Sequence, residues 1–361
     1  MSAESNALVA PNYHNDFVTQ AYLPWLRERP RLAGIARQLV HGLEAGVSTR
    51  MERSARYGID IPKALAISLT STCNRHCVFC RVGTSLSAPP RLLPPRILDT
   101  ALAECRDLGI RCVALVGGEP LLYPEVDSWI TGHPDFLFVL FTNGLALTEE
   151  RARRYQELAN LAIFLNVSAT YSLDRLDENL LGVLHRLRRF GLFFGFSATV
   201  YQDNWLLFSA LDPFAALFDS GARFATLFRY LPEFGGEPDP LSLAPRAWNE
   251  VRDAARVSGN LHGRLVICAP EDERIMGGCL AAGRLLIHLD PSGHISPCPF
   301  VPYSAHRLGT SSLLDALKSG YFTELRARGS QWAELGGACV YRAREAEFLA
   351  TNARHGAIGC P

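Results

Sequence analysis

The sequence predicts an α/β protein built around a partial (β/α)6, TIM-like barrel, and three observations predict it. Six short apolar runs, residues 66–69, 112–116, 136–141, 162–167, 192–200 and 223–230, alternate with longer amphipathic stretches. Repeated strand–helix alternation reads as parallel βαβ units. Helix start signals stand between the runs: residues 96–108 follow Pro94 and Pro95, and residues 149–158 follow Thr148. The unusual residues also fall where the first three runs end, at 73–80, 117–120 and 142–144. In such barrels the chemistry lies at the C-terminal ends of the strands.

Around this barrel, expected over residues 63–260, stand two further regions. Residues 1–62 read as a helical extension, with apolar residues at helical spacing over 32–43 and Pro62 closing the segment. From about Leu261 the alternation stops. Residues 261–361 carry glycines and cysteines, and Pro291-Ser292-Gly293 lies between two apolar runs, which reads as a β-hairpin.

The 361 residues contain 36 Lys plus Arg and 36 Asp plus Glu. A nucleic-acid binder usually carries a basic excess, and this balance argues against one. The apolar runs are strand-sized, which argues against a membrane span. The N-terminus has no basic stretch followed by an apolar one, so no signal peptide is expected and the location expected is cytoplasmic. In a reducing compartment, ten cysteines point to metal ligands or catalytic groups before disulfides.

Cys73, Cys77 and Cys80 put three thiols within eight residues, directly after a strand. Such a loop can wrap three corners of a cubane Fe–S cluster and leave one iron for a small-molecule ligand. A structural zinc site would want a fourth ligand. His76 is the nearest, but the loop would have to fold back on itself to use it. Cys105 falls on an apolar helix face and Cys112 in a strand, and both read as core.

The C-x3-C-x2-C loop resembles the signature of the radical S-adenosylmethionine (SAM) superfamily. Gly117-Gly118-Glu119-Pro120, after the second strand, resembles that family's GGEP element, and Thr142-Asn143-Gly144 a less specific one. The resemblance implies that Cys73, Cys77 and Cys80 hold a [4Fe–4S] cluster whose open iron binds the amino and carboxylate groups of SAM. It implies that Phe79 packs beside the adenine, that Gly117 to Pro120 meet the SAM ammonium, and that Asn143 and Ser168 line the cofactor site. A one-electron reductant such as flavodoxin or ferredoxin is implied as partner. Gly118 is expected because backbone must come close to the ligand.

The later cysteines, Cys279, Cys298, Cys339 and Cys360, resemble the SPASM or shorter twitch extensions of that superfamily, which carry auxiliary clusters. Four thiols suffice for one [4Fe–4S] cluster, and a Zn(Cys)4 site is the alternative. A C-x2-C pair of the fuller family is missing near Leu335 and Gly336, so Cys360 is taken as fourth ligand with Cys268 as substitute. The implied activity is reductive cleavage of SAM and removal of hydrogen from a substrate C–H bond. Oxidation of a small molecule is the reading taken. Peptide crosslinking is the alternative; so is a redox-neutral epimerisation or rearrangement, in which Cys268 returns hydrogen. The complete GGEP element argues against a non-catalytic scaffold. Tyr171, His294 and Tyr303 read as structural, and no general base is named.

Overall fold

A computed structural model describes residues 17–80, 89–169, 177–236, 239–274, 278–331 and 339–360. Tyr171, Gly277 and residues 335–338 of the sequence reading lie outside them. Seven strands run parallel in chain order: β1 (Ala64–Thr70), β2 (Cys112–Gly117), β3 (Leu137–Thr142), β4 (Leu161–Asn166), β5 (Phe194–Val200), β6 (Phe224–Arg229) and β7 (Leu265–Ala269). The first six sit within two residues of the apolar runs, and the helices between them include Pro95–Leu108, Glu149–Tyr155 and Glu178–Arg189. Each helix buries one apolar stripe, as Ile97, Leu98, Ala101, Leu102 and Cys105 do on the first.

The seventh strand corrects the expected end of the alternation. It follows the helix Pro245–His262, which stops at Gly263 in a left-handed conformation (φ 60°). Five residues between Arg264 and Pro270 are too short a run to stand out from periodicity alone. Its pairing with β6 makes it a strand.

The sheet stays open as a barrel. A hairpin of β8 (Leu286–Leu289) and β9 (His294–Ser296) joins the other edge, with β8 parallel to β1. The sheet order is then β9-β8-β1 through to β7, with the two-residue strand His306–Arg307 beyond β9. β7 thus lies at one edge of the sheet and β8, which follows it, beside β1 at the other. The start of β8 is fixed by the N–H of Lys63 donating to the carbonyl of Leu285 at 2.8 Å.

The N-terminal region closes the end of the barrel away from the cysteine loop. Helical turns at Phe17–Tyr22 and Leu23–Arg27 lead into a long helix, Ala33–Tyr57. The Phe17 ring packs on Phe164, Phe193 and Phe224. Tyr22 Oη donates to the carbonyl of Ala159 and Trp25 Nε1 to that of Gly191. Ala159, Gly191 and Phe193 precede β4 and β5, and Phe224 opens β6, so these contacts lie at strand beginnings. The C-terminal region, in contrast, reaches the rim where the strands end.

Candidate active site

Five strand ends and one loop converge at the rim. Thr70, fully buried, ends β1. Its Oγ1 accepts the N–H of Thr72 at 3.0 Å and donates to the carbonyl of Arg91 at 3.1 Å, which anchors the base of the cysteine loop. The N–H of Cys80 donates to the carbonyl of Cys77 at 3.0 Å, closing a turn at its far end. His76 is exposed.

Glu119 holds the next strand ends together. It is 1% exposed, and its Oε1 accepts from Thr142 Oγ1 at 2.7 Å and from the N–H of Leu121 at 3.1 Å. Its Oε2 accepts from the N–H of Asn143 at 2.9 Å. The Asn143 side chain reaches the cysteine loop, where Nδ2 donates to Asn74 Oδ1 at 2.8 Å and lies 3.9 Å from Cys73 Sγ. The carboxylate of Glu119 is thus spent inside the protein, and what this segment offers a ligand is backbone.

Gly118 also makes a close approach within the protein itself. A Cβ there would stand 2.1 Å from the carbonyl oxygen of Thr72. The close approach is to the start of the cysteine loop, one residue before Cys73. The N–H groups of Gly118 and Glu119 donate to the carbonyls of Thr70 and Thr72 at 2.7 and 2.8 Å.

Phe79 is buried and packs against Tyr201, ring centroids 5.1 Å apart. Ser168 is buried beyond β4, where its Oγ accepts the N–H of Thr199 at 2.6 Å. Tyr201 was missed in the sequence; a polar-tipped aromatic just after the fifth apolar run was its signal.

The donor set at the rim fits a multi-iron cluster. Burial, then the charges of Cys80 and Cys73, push the Cys77 thiol up to about 11. Cys73 is raised by burial, with Glu119 and Cys80 adding to it. Thiols that crowd one another in this way are relieved by a cation between them. Three thiols on one short loop can hold three irons of a cubane and leave the fourth open.

A second set of cysteines gathers in the closing segment. Cys279, Cys298 and Cys339 line one cavity of about 370 Å³ together with Glu273 and Tyr341. The Cys279 thiol donates to the Glu273 carboxylate, as does the N–H of Leu280, and burial raises that carboxyl to about 7. Burial raises all three thiols, and the charge of Glu273 adds to it. Tyr341, 1% exposed, sits against the same three.

Cys360 and Cys268 are not brought into this group. Burial and the charge of Asp290 raise Cys360, and its ligand atom lies beside those of Asp290 and His294. Cys268 is buried against the helix Pro245–His262, near Arg256 and Arg252, and its N–H donates to Asp272. The reason is topological: the last strand, Ile358–Gly359, pairs with Tyr303–Ser304, which carries Cys360 to the hairpin turn.

A cavity of about 320 Å³ lies between the rim and the hairpin, lined by Ser68, Thr70, Gly117, His288, Asp290 and Cys360 among others. His288 ties its two sides, bonding Ser68 Oγ at 2.8 Å and Ser296 Oγ at 2.8 Å. Burial lowers its pKa to about 4, so it is neutral. Pro299 and Phe300 line both cavities and divide them. Tyr303 packs on Phe234 and Phe348.

Residues 67–192 match the family model of the radical SAM superfamily. The matched segment is a radical SAM domain, and enzymes of that superfamily bind a [4Fe–4S] cluster and SAM. The matched radical SAM segment contains the cysteine loop, Gly117 to Pro120, Asn143 and Ser168, and stops before Tyr201.

The chain is 26% identical over 284 residues to the mycofactocin maturase MftC of Mycobacterium ulcerans, covering 70% of this chain and 72% of that one. It is 31% identical over 113 residues to a probable GTP 3′,8-cyclase of Archaeoglobus fulgidus, and spans 36% of that relative's length. Among solved structures, Streptococcus suis SuiB bound to precursor peptide SuiA superposes with a TM-score of 0.64 at 12% identity, over 77% of this chain and 70% of that one. That likeness is one of fold. No helix among the described residues is long and apolar enough to cross a membrane.

Proposed function

We propose that Cys73, Cys77 and Cys80 hold the [4Fe–4S] cluster, that SAM lies across the ends of β1 to β5, and that the substrate is a peptide. When bound, the cluster and SAM supply a 5′-deoxyadenosyl radical that takes a hydrogen atom from a substrate C–H bond. The observation that carries the site is the Asn143 side chain, which bridges the cysteine loop while its backbone is held by Glu119. This bond network fixes the loop before any ligand arrives. Backbone at Gly117 to Pro120 meets the SAM ammonium, Phe79 backed by Tyr201 flanks the adenine, and Ser168 and Asn143 face the nucleoside. The C-terminal hairpin covers the cavity beside Gly117 and keeps water from the reacting C–H bond.

Cys279, Cys298 and Cys339 hold an auxiliary [4Fe–4S] cluster, with the Glu273 carboxylate as fourth donor in place of Cys360. When bound, that cluster can accept the electron left on an oxidised substrate. A ferredoxin or flavodoxin supplies the electron for SAM cleavage.

The peptide reading is supported by the span of the relatives. The likeness to mycofactocin maturase covers 72% of that protein, and that to the GTP cyclase 36%. A PqqA peptide cyclase of Streptomyces rochei is also a relative, and SuiB is solved with its precursor peptide. Small-molecule oxidation is the second reading. The cavity of about 320 Å³ favours it, because that is near the lower end for small-ligand pockets.

Anaerobic reconstitution with iron and sulfide, then incubation with SAM, a reductant and either a peptide or a metabolite panel, tests this. A peptide encoded beside the gene should lose hydrogen, and deuterium placed in it should appear in 5′-deoxyadenosine. Turnover of metabolites alone would overturn the peptide reading; no 5′-deoxyadenosine under any condition would overturn the site.

A further inference from the structure

A third group of ligand atoms stands apart from both cysteine sets. One atom each of Asp290, His294 and Cys360 lie within 4.8 Å of one another, and among the described residues no other trio of His, Cys, Asp or Glu does so. Two local structures bring them together. Asp290 follows β8 and His294 opens β9, so the hairpin turn folds one onto the other. Cys360 follows the short strand that pairs with Tyr303–Ser304, and its N–H donates to the carbonyl of Pro302 at 2.7 Å.

The turn accounts for half of Asp290. Its Oδ1 accepts the N–H groups of Ser292 at 2.8 Å and His294 at 2.7 Å, which closes an Asx turn. Its Oδ2 faces His294 Nδ1 at 3.1 Å, and a turn has no need of a thiol beside that pair. Asp290 is 5% exposed, and a buried carboxylate requires partners. Asp290 and Cys360 both line the 320 Å³ cavity, with Ser68, Thr70 and Gly117 across from them.

We propose that Asp290, His294 and Cys360 bind one zinc ion, with its remaining coordination position open to the cavity. Thiolate, imidazole and carboxylate are all zinc donors, and three protein ligands with one open position is the pattern of catalytic rather than structural zinc. Magnesium and calcium take oxygen donors and fit this set poorly. Binding displaces the Cys360 thiol proton to solvent. The ion presents an electrophile to a carboxylate, carbonyl or thiolate of whatever occupies the cavity, and so holds that group near the rim.

The test uses holoenzyme reconstituted with iron and sulfide, so that the other cysteines are occupied, then incubated with zinc sulfate and desalted. Zinc K-edge absorption reads the donors of zinc alone, whatever iron is present. The expected result is about one zinc per chain, with a single sulfur at about 2.3 Å and nitrogen or oxygen otherwise. Cys360→Ala should bring zinc close to nil with iron unchanged, and His294→Gln should lower it as well. No zinc retained by the wild type, a shell with two or more sulfurs, or full zinc in Cys360→Ala would overturn the proposal. The wild-type shell decides the matter even if a variant misfolds.

Discussion

The rim and the closing segment both gather three cysteines, and they do so by different means. At the rim the three lie within eight residues and one loop positions them, braced by Thr70, Glu119 and Asn143. In the closing segment, Cys279, Cys298 and Cys339 are scattered over sixty residues, and the stretch before β8, a hairpin and a short helix (Val340–Ala343) each deliver one. A compact loop keeps its ligand set whatever surrounds it. A dispersed set depends on distant segments pairing, and its fourth member can change with one strand pairing.

That contrast can be broken most sharply at the rim. Cys73→Ala, Cys77→Ala or Cys80→Ala should each abolish 5′-deoxyadenosine formation from SAM under reducing conditions, because three thiolates are the minimum for this cluster. Turnover by any one of the three variants would remove the assignment.

The next effect concerns iron. Reconstituted wild type should hold about eight irons, and a Cys279/Cys298/Cys339 triple alanine variant about four. Cys360→Ala should stay at about eight. Glu273→Gln should keep iron but change the electron paramagnetic resonance signal of the second cluster. If Cys360→Ala drops to about four, Cys360 is the fourth ligand and Glu273 is not.

Gly118→Ala sharpens the rim side. The added Cβ meets the Thr72 carbonyl at 2.1 Å, and overpacking of this kind costs about 1–3 kcal/mol. Iron content and SAM affinity should fall together, since Thr72 adjoins Cys73. A fall in SAM affinity alone, by equilibrium binding with iron counted in parallel, would place the contact at the ligand instead.

The smallest effect is expected at Phe79→Leu, which loses its ring pair with Tyr201. Such pairs are worth about 0.5–1.5 kcal/mol, so SAM should bind roughly two- to tenfold more weakly. Unchanged affinity would leave Phe79 as a core residue.

Much of the fold is legible in the sequence. Six strands, the hairpin at Pro291 to Gly293 and the cysteine loop are local patterns, set by residues close in sequence. The seventh strand was not legible, because Leu265–Ala269 is too short to show a period and becomes a strand by pairing with β6. The N-terminal helices were legible as helices. Their place beneath the barrel was not, since it rests on Phe17, Tyr22 and Trp25 meeting aromatics and carbonyls more than 130 residues away.

The sequence by itself determined what stands at the rim: three thiols within eight residues, a glycine pair after the second strand, and an alternation that puts both at strand ends. Only the tertiary structure decided how the later cysteines divide. Cys360 lies nearer to Cys339 in the chain than Cys298 does, yet pairing of Ile358–Gly359 with Tyr303–Ser304 carries Cys360 to Asp290 and His294, while Glu273 turns in beside Cys279. Backbone hydrogen bonds between distant segments choose those neighbours, and no local pattern encodes them.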